Sequence, residues 1–450
     1  MTAPARTAAL HALRAIDGGH ADLPSALAQS RQRTSDERDR ALAAEIVLGT
    51  LRWQRSLDHL IQHFARRPVG QLDADVRTIL RLSLYQLLHL DRVPAAAVVD
   101  DGVSLTKMAR KSSAAGFVNA VLRAMLRQRH RLPLPARPDD GRDREAAIAY
   151  LGITHSHPDW LVARWHDRHG FDAAERWVRF DNATPPLTLR ANRLRIDRDQ
   201  LRRDLGRDDI ECEPTRYAPD GLTVTSGNPL REPAAGRFVV QDEGSQLVPL
   251  LVEARAGERV LDVCASPGNK TTQLAVDMED EGRLVACDVR PRRVRLLRDT
   301  IAQSGATHAY PVLIDRAGAL PFTMLFDRVL VDAPCSGLGT IRRDPDIRWR
   351  RRDDELAGLA RSQVALLERA AAAVKPGGRL VYATCSSEPE ENEQVVDTFL
   401  AAHPEFELLD LRRDGAAALQ RVLDDRGMLR TLPFEHGLEA FFGAALRRKA

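Results

Sequence analysis

Val260-Leu-Asp-Val-Cys-Ala-Ser-Pro-Gly-Asn-Lys-Thr-Thr272 is the stretch whose reading decides the fold. Its opening apolar run suits a strand. Pro267 and Gly268 then force a tight turn, and the residues after them open a helix. Strand, tight turn and helix in that order bring backbone N–H groups close to a ligand. The spacing is neither the GxxxxGK[ST] of a phosphate loop nor the GxGxxG of dinucleotide sites.

From about residue 236 short apolar runs recur at Arg259–Val263, Arg283–Cys287, Asp327–Val331 and Arg379–Thr384. Helical patterns separate them, notably around 291–303 and 353–374. That alternation predicts a doubly wound α/β sheet with helices on both faces and ligands at the carboxyl ends of its strands. Chemistry-bearing residues stand just past each run. Asp288, after the second, can accept from both ribose hydroxyls of a nucleoside cofactor, or simply cap a helix. Asp332-Ala-Pro-Cys-Ser-Gly-Leu-Gly339 follows the third run, and Thr384-Cys-Ser-Ser-Glu-Pro-Glu-Glu-Asn392 the fourth.

The five cysteines are Cys212, Cys264, Cys287, Cys335 and Cys385. An odd count without CxxC spacing fits neither a disulfide framework nor a zinc site, and points to a reducing cytoplasm. Buried cysteines are usually inert small apolar groups, the reading that suits Cys212 and Cys287. Cys335 and Cys385 differ: each stands at a strand end, is followed by serine, and would face the same crevice. His155-Ser-His157 lacks a partner cluster for a metal, and no metal is expected elsewhere. Glu390, Glu391 and Glu393 read as helix-capping acids.

The chain of 450 residues has room for two or three domains. Its net charge of +3 says little about partners. Only five of its 66 basic residues are lysine, which a GC-rich coding sequence explains, although arginine also suits phosphate contacts. No secretory signal and no apolar run of membrane-spanning length is present. Residues 1–130 read as helical: Val76, Ile79, Leu80, Leu84, Leu87 and Leu88 recur at helical spacing, as do Val118, Val121, Leu122 and Met125. Pro133, Pro135 and Pro138 mark 131–148 as a linker. Residues 149–235 mix helical pieces around Trp160, Leu161, Trp165 and Trp177 with strands at Pro185–Arg190 and Leu222–Thr225. Arg342, Arg343, Arg348, Arg350, Arg351 and Arg352 surround Trp349 just past the Asp332 motif. Cations beside an aromatic there predict RNA contact.

These motifs resemble those of the bacterial ribosomal-RNA cytosine-5 methyltransferases of the Sun (RsmB) type. The matching pieces are Gln241-Asp-Glu-Gly-Ser-Gln246, the Cys264–Lys270 loop, Asp288, Asp332–Cys335, Ile341–Trp349, Thr384–Ser386 and Glu391-Asn392. The helical first part resembles NusB, most closely at Gly116–Arg123. The resemblance implies a multidomain chain: an all-α NusB-like domain (1–130), a linker (131–148), a small α+β, RRM-like RNA-binding subdomain (149–235) and a Rossmann-like class I methyltransferase domain (236–450). It further implies S-adenosylmethionine as cofactor, 16S ribosomal RNA as partner, no membrane attachment, and a monomer acting in the cytoplasm.

By the same resemblance Cys385 is the nucleophile that adds to carbon 6 of cytosine, Cys335 assists release, and Asp332 hydrogen-bonds the cytosine edge. Some DNA cytosine methyltransferases draw their nucleophile from a Pro-Cys like Pro334-Cys335, so the reverse assignment stays open. The cofactor would lie against Cys264, Ala265, Ser266, Pro267, Gly268, Asn269, Lys270, Asp288, Asp315 and Asp332, with Asp315 towards its base. Two departures stand out. Asn269 replaces a family glycine, and asparagine tolerates left-handed backbone better than other residues. Asp315-Arg316 stands where the family has Asp-Gly. A transfer-RNA target, or a catalytically silent assembly factor built on the NusB-like part, remains the alternative reading.

Overall fold

The computed structural model describes residues 3–139, 141–231 and 234–450. The chain forms two compact units: Met1–Ala183 with Ile341–Arg350, and Thr184–Thr340 with Arg351–Ala450.

The first unit is helical. Asp22, Asp36 and Asp73 each start a helix by accepting first-turn N–H groups. The stripe Val76, Ile79, Leu80 and Leu84 on helix Ala74–His89 shares one buried core with Val118, Val121, Leu122 and Met125 of helix Ala115–Arg127. Helices Asp159–His169 and Phe171–Asn182 stack Trp165 on Trp177, ring centroids 4.5 Å apart. No helix among the described residues is long and apolar enough to cross a membrane.

Two segments depart from the sequence expectation. Residues 131–148 are not a free linker, although residue 140 lies outside the described ones. The ring of His59 bonds Pro133 O at 2.8 Å, Thr154 Oγ1 donates to Pro135 O, and Arg137 pairs with Glu175. Helix Arg144–Ala149 begins inside the stretch. Prolines stiffen a chain without freeing it, so a proline-rich run can lie against a surface through its carbonyls. The boundary at 149 does not divide the compact units either: 149–183 goes with the first, held in part by Arg55, which donates to His157 O and Asp159. Of the expected 149–235 subdomain, residues 232 and 233 lie outside the described ones.

The arginine-rich segment is the larger correction. Ile341–Arg350 packs into the helical unit instead of standing free for RNA. Arg348 is fully buried; its Nη1 donates to Ser156 O and Asn182 Oδ1, each at 3.0 Å. Burial lowers its pKa to about 9. Trp349 Nε1 donates to Leu51 O at 2.6 Å, and Arg52 donates to Arg342 O. A desolvated guanidinium surrounded by carbonyls resembles a charged turn in composition only. Arg350 and Arg352 of the cluster remain exposed.

The second unit contains two sheets. The smaller joins β1 (Thr188–Ala191), β2 (Glu211–Pro214), β3 (Gly221–Ser226) and β4 (Phe238–Val240) in the antiparallel order β2-β3-β1-β4. The larger contains β5 (Arg259–Asp262), β6 (Arg283–Asp288), β7 (Ala309–Leu313), β8 (Phe326–Asp332), β9 (Val374–Thr384), β10 (Phe406–Leu408), β11 (Leu429–Arg430) and β12 (Phe442–Arg448). Its order is β10-β12-β9-β8-β5-β6-β7, with β11 beside β12. Pairing is parallel from β7 to β9 and antiparallel at β12. Chain order reverses between β5 and β8, which opens the ligand crevice of a doubly wound sheet at the carboxyl ends of those strands. The expected α/β architecture is present.

Replacing Arg348 with alanine should destabilise the first unit by about 2–5 kcal/mol, through a cavity and several orphaned carbonyls. Denaturant unfolding measures this; a loss under about 0.5 kcal/mol, the level of an ordinary surface site, would contradict the buried role.

Candidate active site

β5 ends at Asp262, buried beneath the turn. Thr271 Oγ1 donates to its Oδ2 at 2.7 Å, while Oδ1 is buried without a hydrogen-bond donor. Burial pushes the Asp262 carboxyl up to about 7 despite the Thr271 hydrogen bond. The turn places its positive φ (114°) on Gly268, and helix Asn269–Asp277 starts without a side-chain cap. Asn269 therefore does not need the left-handed tolerance expected of it; it is the first helical residue, and its Nδ2 donates to Val240 O at 3.2 Å. Cys264 has its thiol pushed up, first by burial. Ala265 N donates to Cys287 O, Ser266 precedes Pro267 through a cis peptide bond, and Ser266 Oγ donates to Arg293 O.

Asp288 closes β6, nearly buried. Its Oδ1 accepts from Arg290 N at 2.9 Å, and its Oδ2 lies 3.8 Å from Arg293. Helix Pro291–Ser304 starts without a side-chain cap, so Asp288 orders the turn before the helix and does not cap it. Ile314 N donates to Asp288 O, which sets the exposed Asp315 beside the end of β6.

Lys270, whose role the sequence leaves open, reaches from the helix start to Asp332 at the end of β8, Nζ to Oδ2 2.7 Å. Burial would lower its pKa, but the Asp332 charge and hydrogen bond outweigh that, so it is raised. A half-buried pair of this kind fixes both side chains while leaving the second Asp332 oxygen for another donor.

β8 and β9 pair in parallel with Asp332 opposite Ala383. The loops leaving them therefore emerge side by side, and Cys335 and Cys385 meet with sulfurs 3.3 Å apart. The Cys335 thiol is pushed well above its ordinary range, first by its hydrogen bond with Cys385, then by burial. Cys212 and Cys287 lie apart from this pair in apolar cores, and burial raises both.

Glu391 was read as a capping acid. It is instead fully buried, and donors from both cysteine loops converge on it. Beside it, Thr384 Oγ1 donates to Asn392 Oδ1, and Asn392 Nδ2 donates to Ser386 O. Arg190 also escaped notice: fully buried on β1, it donates to Gln241 Oε1, Asn269 O and Thr272 Oγ1. The only sequence signal was negative, since each is a charge inside an otherwise turn-like or strand-like motif.

Three family models match the chain. One described as NusB family covers residues 3–127, a ferredoxin-like domain of RsmF/B-like methyltransferases covers 157–231, and 16S rRNA methyltransferase RsmB/F covers 249–447. The probable ribosomal RNA small subunit methyltransferase B of Bacillus subtilis is 35% identical over 418 residues, 92% of this chain and 91% of that protein. The chain belongs to the RsmB/F methyltransferase family. Its Pseudomonas putida relative, ribosomal RNA small subunit methyltransferase B, is also 35% identical over 418 residues, 90% of this chain and 91% of that one. Among solved structures, PH0851 is 26% identical with a TM-score of 0.81, covering 100% of this chain and 99% of that one. A methyltransferase homolog from Pyrococcus horikoshii is 26% identical with a TM-score of 0.57, covering 67% and 99%. The RsmB/F membership makes the chain a methyltransferase and accounts for the NusB resemblance of its N-terminal part.

Gly339 sits where the loops cross: its N–H donates to Cys385 O and its carbonyl accepts from Ala440 N. A Cβ there would lie 2.0 Å from Ala440 O and 2.9 Å from Cys385 O. Both obstacles are backbone, so Gly339→Ala must shift the Cys385 loop. Turnover should fall about 100-fold, as a misplacement near 1 Å costs; initial rates on a saturating substrate check it.

Proposed function

We propose that this RsmB/F family member transfers a methyl group from S-adenosylmethionine to carbon 5 of a cytosine in 16S ribosomal RNA, with Cys385 as nucleophile. The observation that carries this reading is the Cys335–Cys385 pair, 3.3 Å apart beside the Lys270–Asp332 ion pair. The family description and the names of the relatives support ribosomal RNA of the small subunit as the substrate. Ribosomal RNA would be met in the cytoplasm, by a monomer.

The residues present suit the cofactor. An uncapped helix start at Asn269, Oδ1 of buried Asp262 and the Asp288 carboxylate, whose Oδ2 lies 3.8 Å from Arg293, stand at the carboxyl ends of β5 and β6. Asp288 would accept from the ribose hydroxyls, Asp315 would face the base, and the Cys264–Lys270 backbone would face the amino-acid end. When bound, the cofactor supplies an electrophilic methyl on a sulfonium centre.

Carbon 5 of cytosine is a weak nucleophile. Thiolate addition from Cys385 to carbon 6 turns the C5–C6 double bond into a single bond and makes C4–C5 an enamine, with carbon 5 its nucleophilic end; N3, whose protonation Asp332 favours, accepts the displaced electron pair. With the cofactor bound, its sulfonium methyl would be the group offered to carbon 5. Cys335, once deprotonated, removes the proton from carbon 5. The electron pair of that C–H bond reforms the C5–C6 double bond and expels the Cys385 thiolate, and N3 gives up the proton it took, so the methylated base leaves neutral. Cys335 keeps its proton more firmly than an ordinary thiol, first through its hydrogen bond with Cys385 and then through burial. The target base must leave its stack to reach the crevice.

Bisulfite sequencing of 16S ribosomal RNA from a strain lacking the protein should reveal one unmethylated cytosine; an unaltered methylation pattern would refute the assignment. Cys385→Ala should abolish methyl transfer. Cys335→Ala should accumulate RNA covalently bound to protein, seen as a denaturant-resistant shifted band, and the opposite pattern would exchange the two roles.

Asp288→Ala should weaken cofactor binding about 10- to 150-fold, the worth of roughly 1.5–3 kcal/mol in hydrogen bonds to a charged group. Calorimetry with unchanged affinity would remove Asp288 from the site.

A further inference from the structure

We propose that Glu391 is a positioning residue whose carboxylate holds the Cys335 and Cys385 loops in register. The inference rests on the cysteine pair proposed above and concerns what keeps that pair together.

The two loops have matching local geometry. Ser336 follows Cys335 and Ser386 follows Cys385. Each hydroxyl accepts from the backbone N–H two residues on: Leu338 N to Ser336 Oγ at 3.3 Å, and Glu388 N to Ser386 Oγ at 3.1 Å. Each hydroxyl then donates to Glu391 Oε2 at 2.5 Å. The other oxygen, Oε1, accepts from Ser336 N at 2.8 Å and from Gln363 Nε2 at 2.9 Å. Gln363, on helix Leu356–Ala371, also donates to Pro334 O at 3.1 Å. Four donors from three segments thus meet on two oxygens, the arrangement an acceptor-only carboxylate satisfies.

Glu391 itself is anchored. Tyr382 Oη, on β9, donates to its carbonyl at 2.5 Å. Ser336, Ser386, Gln363 and Glu391 are each at most 1% exposed. With no water to compete, these charge-assisted bonds are short and strong. Carboxylate loss therefore frees both loops at once, whereas loss of either serine frees one. Helix capping does not explain the arrangement, because the oxygens face the two cysteine loops and Gln363.

The test uses the full-length protein and two variants, Glu391→Ala and Glu391→Gln. Glutamine keeps one acceptor and the length of the side chain, so it should rescue part of the function. The first readout is a Cys335–Cys385 disulfide driven by diamide, whose N=N bond is reduced as the two thiols are oxidised; peptide mass spectrometry follows it. The second is the division of the kinetic effect between kcat and KM.

For Glu391→Ala the disulfide should form at least about tenfold more slowly, and kcat should fall about 100-fold with the cofactor KM unchanged. Glu391→Gln should lie between it and the native protein in both. Native rates of disulfide formation and turnover in a folded Glu391→Ala protein would overturn the inference. If that variant does not fold, Ser386→Ala carries the same readouts, with slowing expected and native values overturning it. A Cys335→Ala protein that accumulates no covalent RNA adduct would instead remove the cysteine mechanism, and the disulfide readout would still decide the role of Glu391.

Discussion

Parallel pairing of β8 with β9 brings together two cysteines that lie fifty positions apart in the chain. A one-residue slip would displace one loop by about 3.3 Å, the rise of a strand, as large as the whole separation of the sulfurs. It would also turn every side chain to the opposite face. The register is held by the sheet's apolar contents: Val329 and Val331 of β8 share a buried core with Leu380 and Tyr382 of β9. The reactive geometry is therefore a consequence of core packing one layer below it, and local turn chemistry only refines the result.

Charge is distributed around that geometry with each carboxylate given work. Asp332 holds Lys270, Asp262 has its carboxyl pushed up to about 7 by burial, and Glu391 faces hydroxyls, an amide and an N–H. In a site of low polarity an unpaired charge would be costly. The thiols are graded by the same physics. Cys212, Cys264 and Cys287 are raised chiefly by burial, as suits packing groups, whereas Cys335 is raised first by another thiol.

Alternating apolar runs disclosed β5, β6, β8 and β9 because strands buried on both faces are written in valine and leucine. β7 escaped, since Tyr310 and Leu313 are exposed at the sheet edge and the run lacks a buried face of ordinary composition. The beginning of β9 was hidden by Lys-Pro-Gly-Gly at 375–378, which looks like a turn in one dimension. The placement of Asp288, Asp332, Cys335 and Cys385 at or just past strand ends is legible because strand ends mark the crevice in this architecture. Glu391 and Arg190 are not legible, because what defines them is burial among partners distant in sequence. The same blindness made Arg348 resemble a solvent-facing cation: composition cannot tell a guanidinium in water from one surrounded by carbonyls.

That misreading exposes a constraint on the whole chain. The stretch from Asp332 to Thr340 belongs to the sheet-containing unit, the next ten residues to the helical one, and Arg351 to the first of these again. Arg351 then donates to Ser336 O at 2.8 Å, closing the excursion on the cysteine loop itself. A segment that leaves and returns cannot complete its bonds until the residues it meets are folded. Arg348 requires the carbonyls of Ser156 and the amide oxygen of Asn182, and Trp349 requires Leu51 O. Buried polar groups left without these partners would each cost about 1–3 kcal/mol, comparable to a large part of the stability of a single domain. The helical unit thus has a structural reason to accompany this catalytic fold that is separate from any part in substrate recognition: it supplies the acceptors on which the chain immediately downstream of Cys335 depends.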